Sequence, residues 1–178
     1  NKVYEVIGAK NIFEIHFKNL EILIHPKSYV HSLLKFNNGL IKIIAHDTTM
    51  KIPIFNTLFD SKDYILPTHK INIRYLNDLN FHKVDLFRYP MVKLLSLLPQ
   101  KHSLFETIVV SANDTLVDLF LTNKIKFLDI HTELFKFIKN KEFYKYKIKK
   151  PTNLEEIILL NKYVSTKIKK KYTNLTHI

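Results

Sequence analysis

Cysteine is absent. That excludes disulfides, zinc–thiolate centres and a thiol nucleophile, and it leaves the redox compartment open. Glycine is nearly absent too, with only 2, at Gly8 and Gly39. A phosphate-cradling loop or a G-x-G-x-x-G dinucleotide turn needs several glycines in one short run. Any nucleotide cofactor would therefore have to be gripped by other sequence. No run of about 18 apolar residues occurs, so no membrane-spanning helix is expected. Neither a secretory apolar segment nor a transit-like start is seen. The chain opens on Asn1-Lys2 rather than Met, and a fragment of a longer protein is expected.

What is present is lysine and apolar bulk. Hydrophobic residues make up 46% of the 178 residues, enough for a sizeable core in one large domain or two small ones. The net charge is +12, and 9 of those charges fall between Lys136 and Lys171. Such a segment can bind polyanions. Yet of the 28 basic residues only Arg74 and Arg88 are arginine. Nucleic-acid sites favour the arginine fork. Lysine, asparagine and isoleucine share A/T-rich codons, so codon drift is the favoured explanation of the tail.

Apolar spacing over Lys2–Phe13 predicts a helix, with Lys10 a polar exception on its apolar stripe. Leu20–Ile24 reads as a strand stopped by His25-Pro26. Tyr29–Phe36 and Leu40–His46 are β-rich runs joined by Asn37-Asn38-Gly39, a hairpin signature. Met50–Phe59 reads as a short helix interrupted by Pro53. From Asp60 to about Asn80, Pro67, Thr68 and Asn77-Asp78 suggest a linker, with a short strand over Leu79–Val84. Helices are expected over Asp85–Leu98, Leu104–Leu121 and Ile130–Lys141. Thr152-Asn153-Leu154-Glu155 reads as a capping box with Thr152 as N-cap. It opens a last helix with Leu154, Ile157, Ile158 and Asn161 on one stripe. Four helices with short connections suggest a bundle.

Several blocks, in order, carry a family resemblance. They are Asn1-Lys2-x-x-Glu5-x-Ile7-x-Ala9, then Leu23-Ile24-His25-Pro26-Lys27-Ser28-Tyr29-Val30-His31-Ser32, then Met50-x-Ile52-Pro53-Ile54. Phe81-His82-Lys83, Phe87-x-Tyr89-Pro90-x-x-Lys93-Leu94, Val109-Val110-Ser111-Ala112-Asn113-Asp114 and Ile125–Ile130 follow. Together they resemble 1-deoxy-D-xylulose 5-phosphate reductoisomerases, over residues 1 to about 140. The resemblance implies an α+β chain: the strand-containing half of a central catalytic and dimerisation domain (1–59, with the hairpin), a linker (60–84) and a C-terminal four-helix bundle (85–178). The upstream part of the family's chain holds the NADPH domain, two acidic metal ligands and the serines that grip phosphate.

The family isomerises and reduces a sugar phosphate on the route to isoprenoid precursors, using NADPH and Mg²⁺ or Mn²⁺. A hard cation needs oxygen ligands, and Glu5 matches the third carboxylate. Asn1 and Lys2 match phosphate and hydroxyl contacts. On a helix all three share one face. Ser28 matches a substrate contact, although a turn after Pro26 explains it equally well. His31 matches a histidine beside the active site, a candidate proton handler. Met50 matches a residue packed near the nicotinamide. The central-sheet strands imply a homodimer. The chain by itself, with one carboxylate and no cofactor cradle, is not expected to catalyse the reaction or to hold the cofactors.

The chain also departs from the pattern. The family's P-D-M is Thr48-Thr49-Met50, its H-P-Q-S is His25-Pro26-Lys27-Ser28, its cysteine is Met91, and the first asparagine of L-N-A-A-N-E is Val110. Leu95–Phe105 lacks the family's glycines. Such drift is what degraded or lost catalysis would leave in a protein retained for binding or scaffolding. A divergent working enzyme, and a polyanion-binding module using the basic tail, are the alternatives. The A/T-biased composition with this pathway suggests a plastid of the apicomplexan kind, or another A/T-rich bacterial-type setting.

Overall fold

The computed structural model describes residues 1–59, 64–77 and 79–173, a mixture of helices and a few short strands. The chain divides into two compact units, one of Asn1–Glu21 with Asp85–Ile178 and the other of Ile22–Val84.

The first unit holds the hydrophobic core. Helix α1 (Lys2–Phe13) buries Val3, Ile7 and Lys10 on one stripe and ends at Glu14, which adopts a left-handed conformation. After Asp85 the chain does not enter an α-helix, as Asp85–Leu98 was expected to do. Pro90 starts a 3-10 helix, Pro90–Leu97. The residue before a proline is pushed out of the α region, and Tyr89 sits at φ −123°. Asp85 instead closes a turn, its carboxylate accepting from Phe87 N–H at 2.8 Å. Helix α4 (Leu104–Leu121) is the central element, packed by α5 (Phe127–Ile138), by the 3-10 helix Lys141–Lys147 and by α6 (Leu154–Thr173). The described residues of this region thus form three α-helices and two 3-10 segments. Leu104, Ile108, Ala112 and Leu116 of α4 meet Leu134, Ile138, Phe143, Leu160, Val164 and Ile168 in one cluster.

Two details of α6 correct the sequence reading. Its cap is shifted by one residue: Asn153 Oδ1 accepts from Glu156 N–H at 2.9 Å, and the Glu156 carboxylate accepts from Thr152 N–H at 2.9 Å and its hydroxyl at 3.0 Å. Two adjacent glutamates follow two possible caps, so spacing alone does not choose between them. The buried stripe is Leu160, Val164 and Ile168, with Ile157 half-buried against it, while Leu154, Ile158 and Asn161 are exposed. Apolar residues occupy several sides of the first two turns, and packing against α4 selects one.

In the second unit, β1 (Leu23–Ile24) pairs antiparallel with β4 (His82–Lys83). Strands β2 (Val30–Lys35) and β3 (Ile41–Ala45) form an antiparallel hairpin. Its turn needs a residue of positive φ, and Gly39 supplies it at φ +87°. Gly39 N–H donates to Phe36 C=O at 3.0 Å, and Leu40 N–H donates to Asn38 Oδ1 at 3.1 Å. Helix α2 (Lys51–Leu58) runs through Pro53 without interruption. Pro53 falls in the first turn, where no N–H is owed to the helix. Within the expected linker, Ile73–Leu76 forms one helical turn, α3, capped by Asn72; Asp60–Asp63 and Asp78 lie outside the described residues. Among the described residues, no apolar side chain of this unit belongs to the buried core.

Candidate functional site

The residues singled out from the sequence fall into two sets, one in each unit. Asn1, Lys2 and Glu5 lie together on the first turn of α1. Asn1 is the N-cap, and its carbonyl accepts from Tyr4 N–H at 2.9 Å and Glu5 N–H at 3.1 Å. Lys2 Nζ meets Glu5 Oε2 at 2.5 Å across one helical turn, with both side chains more than half exposed. An exposed pair of this kind contributes little to stability. Nothing in the core requires it.

The opposite face of the same turn is anchored. Val3 and Ile7 are buried, and α1 packs on the Pro90–Leu97 segment. The Tyr4 hydroxyl is buried without a hydrogen-bond partner among the described residues. Burial, with the nearby Asp114 carboxylate, pushes its pKa up.

One feature of α1 was not anticipated. Lys10 and Glu106 are both almost fully buried and form an ion pair at 2.5 Å between α1 and α4. Asn11 Nδ2 donates to the second Glu106 oxygen at 3.1 Å, and His102 Nδ1 lies 3.2 Å from the same oxygen. The available signal was Lys10 itself, a cation on an apolar stripe that had to find an acid.

In the second unit Ser28 occupies the turn after His25-Pro26 at φ +51°, with its N–H donating to His25 C=O at 2.9 Å. His25 is a turn residue: Nδ1 accepts from Tyr29 N–H at 3.0 Å and Val30 N–H at 3.2 Å, and its ring packs on Phe81. His31 is the extra residue of a bulge, since Val30 pairs with Ala45 and Ser32 with Ile44. Bulges re-aim the side chain they carry. The His31 ring stacks on His46, centroids 3.6 Å apart and planes within 2°. His46 was not picked out from the sequence, because only the bulge at His31 brings the two rings together. Met50 is exposed at the start of α2. Beside it, Thr49 Oγ1 accepts from Lys51 N–H at 3.3 Å, so a hydroxyl serves the helix entry where the family pattern has an acid.

Glu5 offers the hard oxygen donor that a divalent cation takes. Among the described residues, however, no group of three His, Cys, Asp or Glu side chains could hold a metal. With 2 glycines, the sequence holds no G-x-G-x-x-G turn.

Comparison with known proteins gives the family. The chain matches the family model for the DXP reductoisomerase C-terminal domain over residues 47–166, and it belongs to that family. A 1-deoxy-D-xylulose 5-phosphate reductoisomerase of Pelagibacter ubique is 55% identical over 94% of this chain and 43% of its own length. The structure of the Zymomonas mobilis enzyme in complex with NADPH superposes with a TM-score of 0.76 at 26% identity, covering 97% of this chain and 44% of that one. A DOX-P reductoisomerase in complex with magnesium gives a TM-score of 0.80 at 25% identity, covering all of this chain and 46% of that one. The chain therefore spans less than half the length of these relatives.

Proposed function

We propose that this chain is one part of a reductoisomerase that converts 1-deoxy-D-xylulose 5-phosphate to 2-C-methyl-D-erythritol 4-phosphate with NADPH and Mg²⁺ or Mn²⁺. The observation that carries the reading is the first turn of α1. Asn1, Lys2 and Glu5 stand exposed on it, while its other face is held by buried Val3 and Ile7. That turn then offers a carboxylate to a cation and an ammonium and an amide to phosphate and hydroxyl oxygens. The bound cation supplies polarisation of the substrate carbonyl. Glu5 would be one of its ligands, the others coming from sequence outside this chain. Ser28 would contact substrate, the bulged His31 would hold or pass a proton, and Met50 would pack against the nicotinamide. In the full-length protein, Glu5→Gln should abolish Mn²⁺ binding and turnover. Unchanged Mn²⁺ affinity would overturn this role.

A second reading, degraded catalysis with a retained binding role, is favoured by Thr48-Thr49. There the family's acid is gone, and Thr49 maintains only the entry to α2. Turnover of the full-length protein with substrate, NADPH and Mg²⁺ decides between the two; a rate near the family's normal one removes the second. Polyanion binding has weaker support, because Lys149, Lys167, Lys169 and Lys171 of the basic tail are engaged by Glu156, Glu142, Asp118 and Glu133.

A homodimer through the hairpin is part of the same proposal. Leu33, Ile41 and Ile43 are exposed on one face of the β2–β3 ribbon, and Leu34 and Ile44 on the other. A two-stranded ribbon exposing apolar residues on both faces is not stable alone. We further propose the ancestral division of the chain as 1–59 catalytic domain, 60–84 linker and 85–178 helical domain. Separate expression of 85–178 tests it, and failure to fold without α1 would place that boundary elsewhere. An A/T-rich bacterial or plastid setting is supported by the lysine-rich composition and the bacterial relatives. The base composition of the gene checks it, a G/C-rich gene being the contrary result.

A further inference from the structure

We propose that Lys10 and Glu106 are positioning residues: their buried ion pair sets the rotation of α1 about its own axis, and so the placement of Glu5, Lys2 and Asn1. This rests on the reading of Glu5 as a cation ligand. The apolar hold on α1 is short: Val3 and Ile7 are buried and Tyr4 packs half-buried against the core, while Ile12 and Phe13 are exposed. Helix-packing classes scatter by about 15–20° in crossing angle, so apolar contact alone does not fix a helix's orientation closely. A rotation of about 20° moves a group about 5 Å from a helix axis by nearly 2 Å. Cation coordination tolerates about 0.2 Å. That apolar contact does not by itself place Glu5 closely enough.

The pair supplies what is missing. One Glu106 oxygen takes Lys10 Nζ at 2.5 Å and the other takes Asn11 Nδ2 at 3.1 Å. Adjacent residues of a helix point about 100° apart. A planar carboxylate that engages both is satisfied at one rotation of α1 and not at its neighbours. His102 Nδ1, at 3.2 Å from the second oxygen, braces Glu106 from the α4 side. The Lys10 ammonium lies 5.2 Å from the centre of the Phe17 ring, which closes over it. Low exposure makes the geometry count, because a buried charge left unpaired is costly and a displaced α1 would leave two. Nothing in the core's composition calls for these charges; an apolar pair of the same volume would fill the space.

That equivalence supplies the test. In the full-length protein, Lys10→Met/Glu106→Leu replaces the pair by apolar groups, a change that commonly preserves or raises stability. We expect the double variant to melt within a few degrees of the parent and to bind Mn²⁺ alone, read by the electron spin resonance of the free ion, at least tenfold more weakly. A merely structural role would move the melting temperature and leave Mn²⁺ affinity alone. A folded double variant with parental Mn²⁺ affinity overturns the proposal. If that variant does not fold, Asn11→Leu, which removes one of the two orienting donors and leaves the charges paired, carries the test with the same two outcomes. Glu5→Gln runs alongside. If Glu5→Gln leaves Mn²⁺ binding intact, the cation-ligand reading fails; if it abolishes binding while the Lys10/Glu106 variant does not weaken it, only the positioning role fails.

Discussion

Lys10 is the residue at which charge and burial are most at odds. An ammonium in the core costs several kcal/mol unless its partner and hydrogen bonds are in place. Glu106 satisfies it, so breaking the pair from one side should be far worse than removing it whole. We expect Lys10→Met alone to lower stability by about 3–5 kcal/mol, and the double change with Glu106→Leu to recover most of that. Urea unfolding of both variants measures the difference. Glu156 gives a second residue-scale expectation. Its hydrogen bond to Lys149, then its bond to Thr152 N–H, hold its carboxyl down at about 2, against 4.5 ordinarily. A depressed folded-state value adds stability that is fully present above the ordinary value and is lost as pH falls from about 4.5 toward 2. Stability measured across that window should fall less steeply in Glu156→Gln than in the parent, and identical slopes would contradict the assignment.

At the scale of the element, α6 shows how much periodicity leaves open. Leu154, Ile157, Ile158, Leu159 and Leu160 are all apolar, so more than one helical stripe could serve as the buried one. Contact with α4 and the Lys141–Lys147 segment selects the stripe of Leu160, Val164 and Ile168. Leu160→Ala should cost about 2–5 kcal/mol. Ile158→Ala, at an exposed position, should stay within about 0.5 kcal/mol. Equal losses at the two sites in thermal unfolding would show that the register is wrong. The hairpin was more legible, because one signal dominates there. Asn37-Asn38-Gly39 admits the positive φ that Gly39 adopts, and β-rich runs flank it on both sides. The 3-10 helix over Pro90–Leu97 was less so, because local propensity favoured an α-helix and one proline decided otherwise.

Across the whole molecule the two units differ in kind. One has a closed core; the other has none of its own among the described residues, and its hairpin presents Leu33, Ile41, Ile43, Leu34 and Ile44 to the outside. Covering those side chains is the physical reason to propose a partner, since a two-stranded ribbon is not stable alone. Ile43→Lys with Leu33→Glu should convert a dimer of the full-length protein to monomer in analytical ultracentrifugation, with the melting temperature falling alongside. A dimer that survives both changes would place the interface elsewhere.

Sequence alone determined the helical stripe of α1, the hairpin turn and the ordered blocks of the reductoisomerase family. Each depends on neighbours a few residues apart, where backbone geometry and side-chain period act directly. It also put Asn1, Lys2 and Glu5 on one turn, for the same reason. It did not determine that Lys10 meets Glu106, that His31 sits in a bulge against His46, or which face of α6 is buried. Those pairings join positions separated by 15 residues for the histidines and 96 for the ion pair. Tertiary packing decided them, because only the folded chain brings a buried charge to the one acid that can neutralise it.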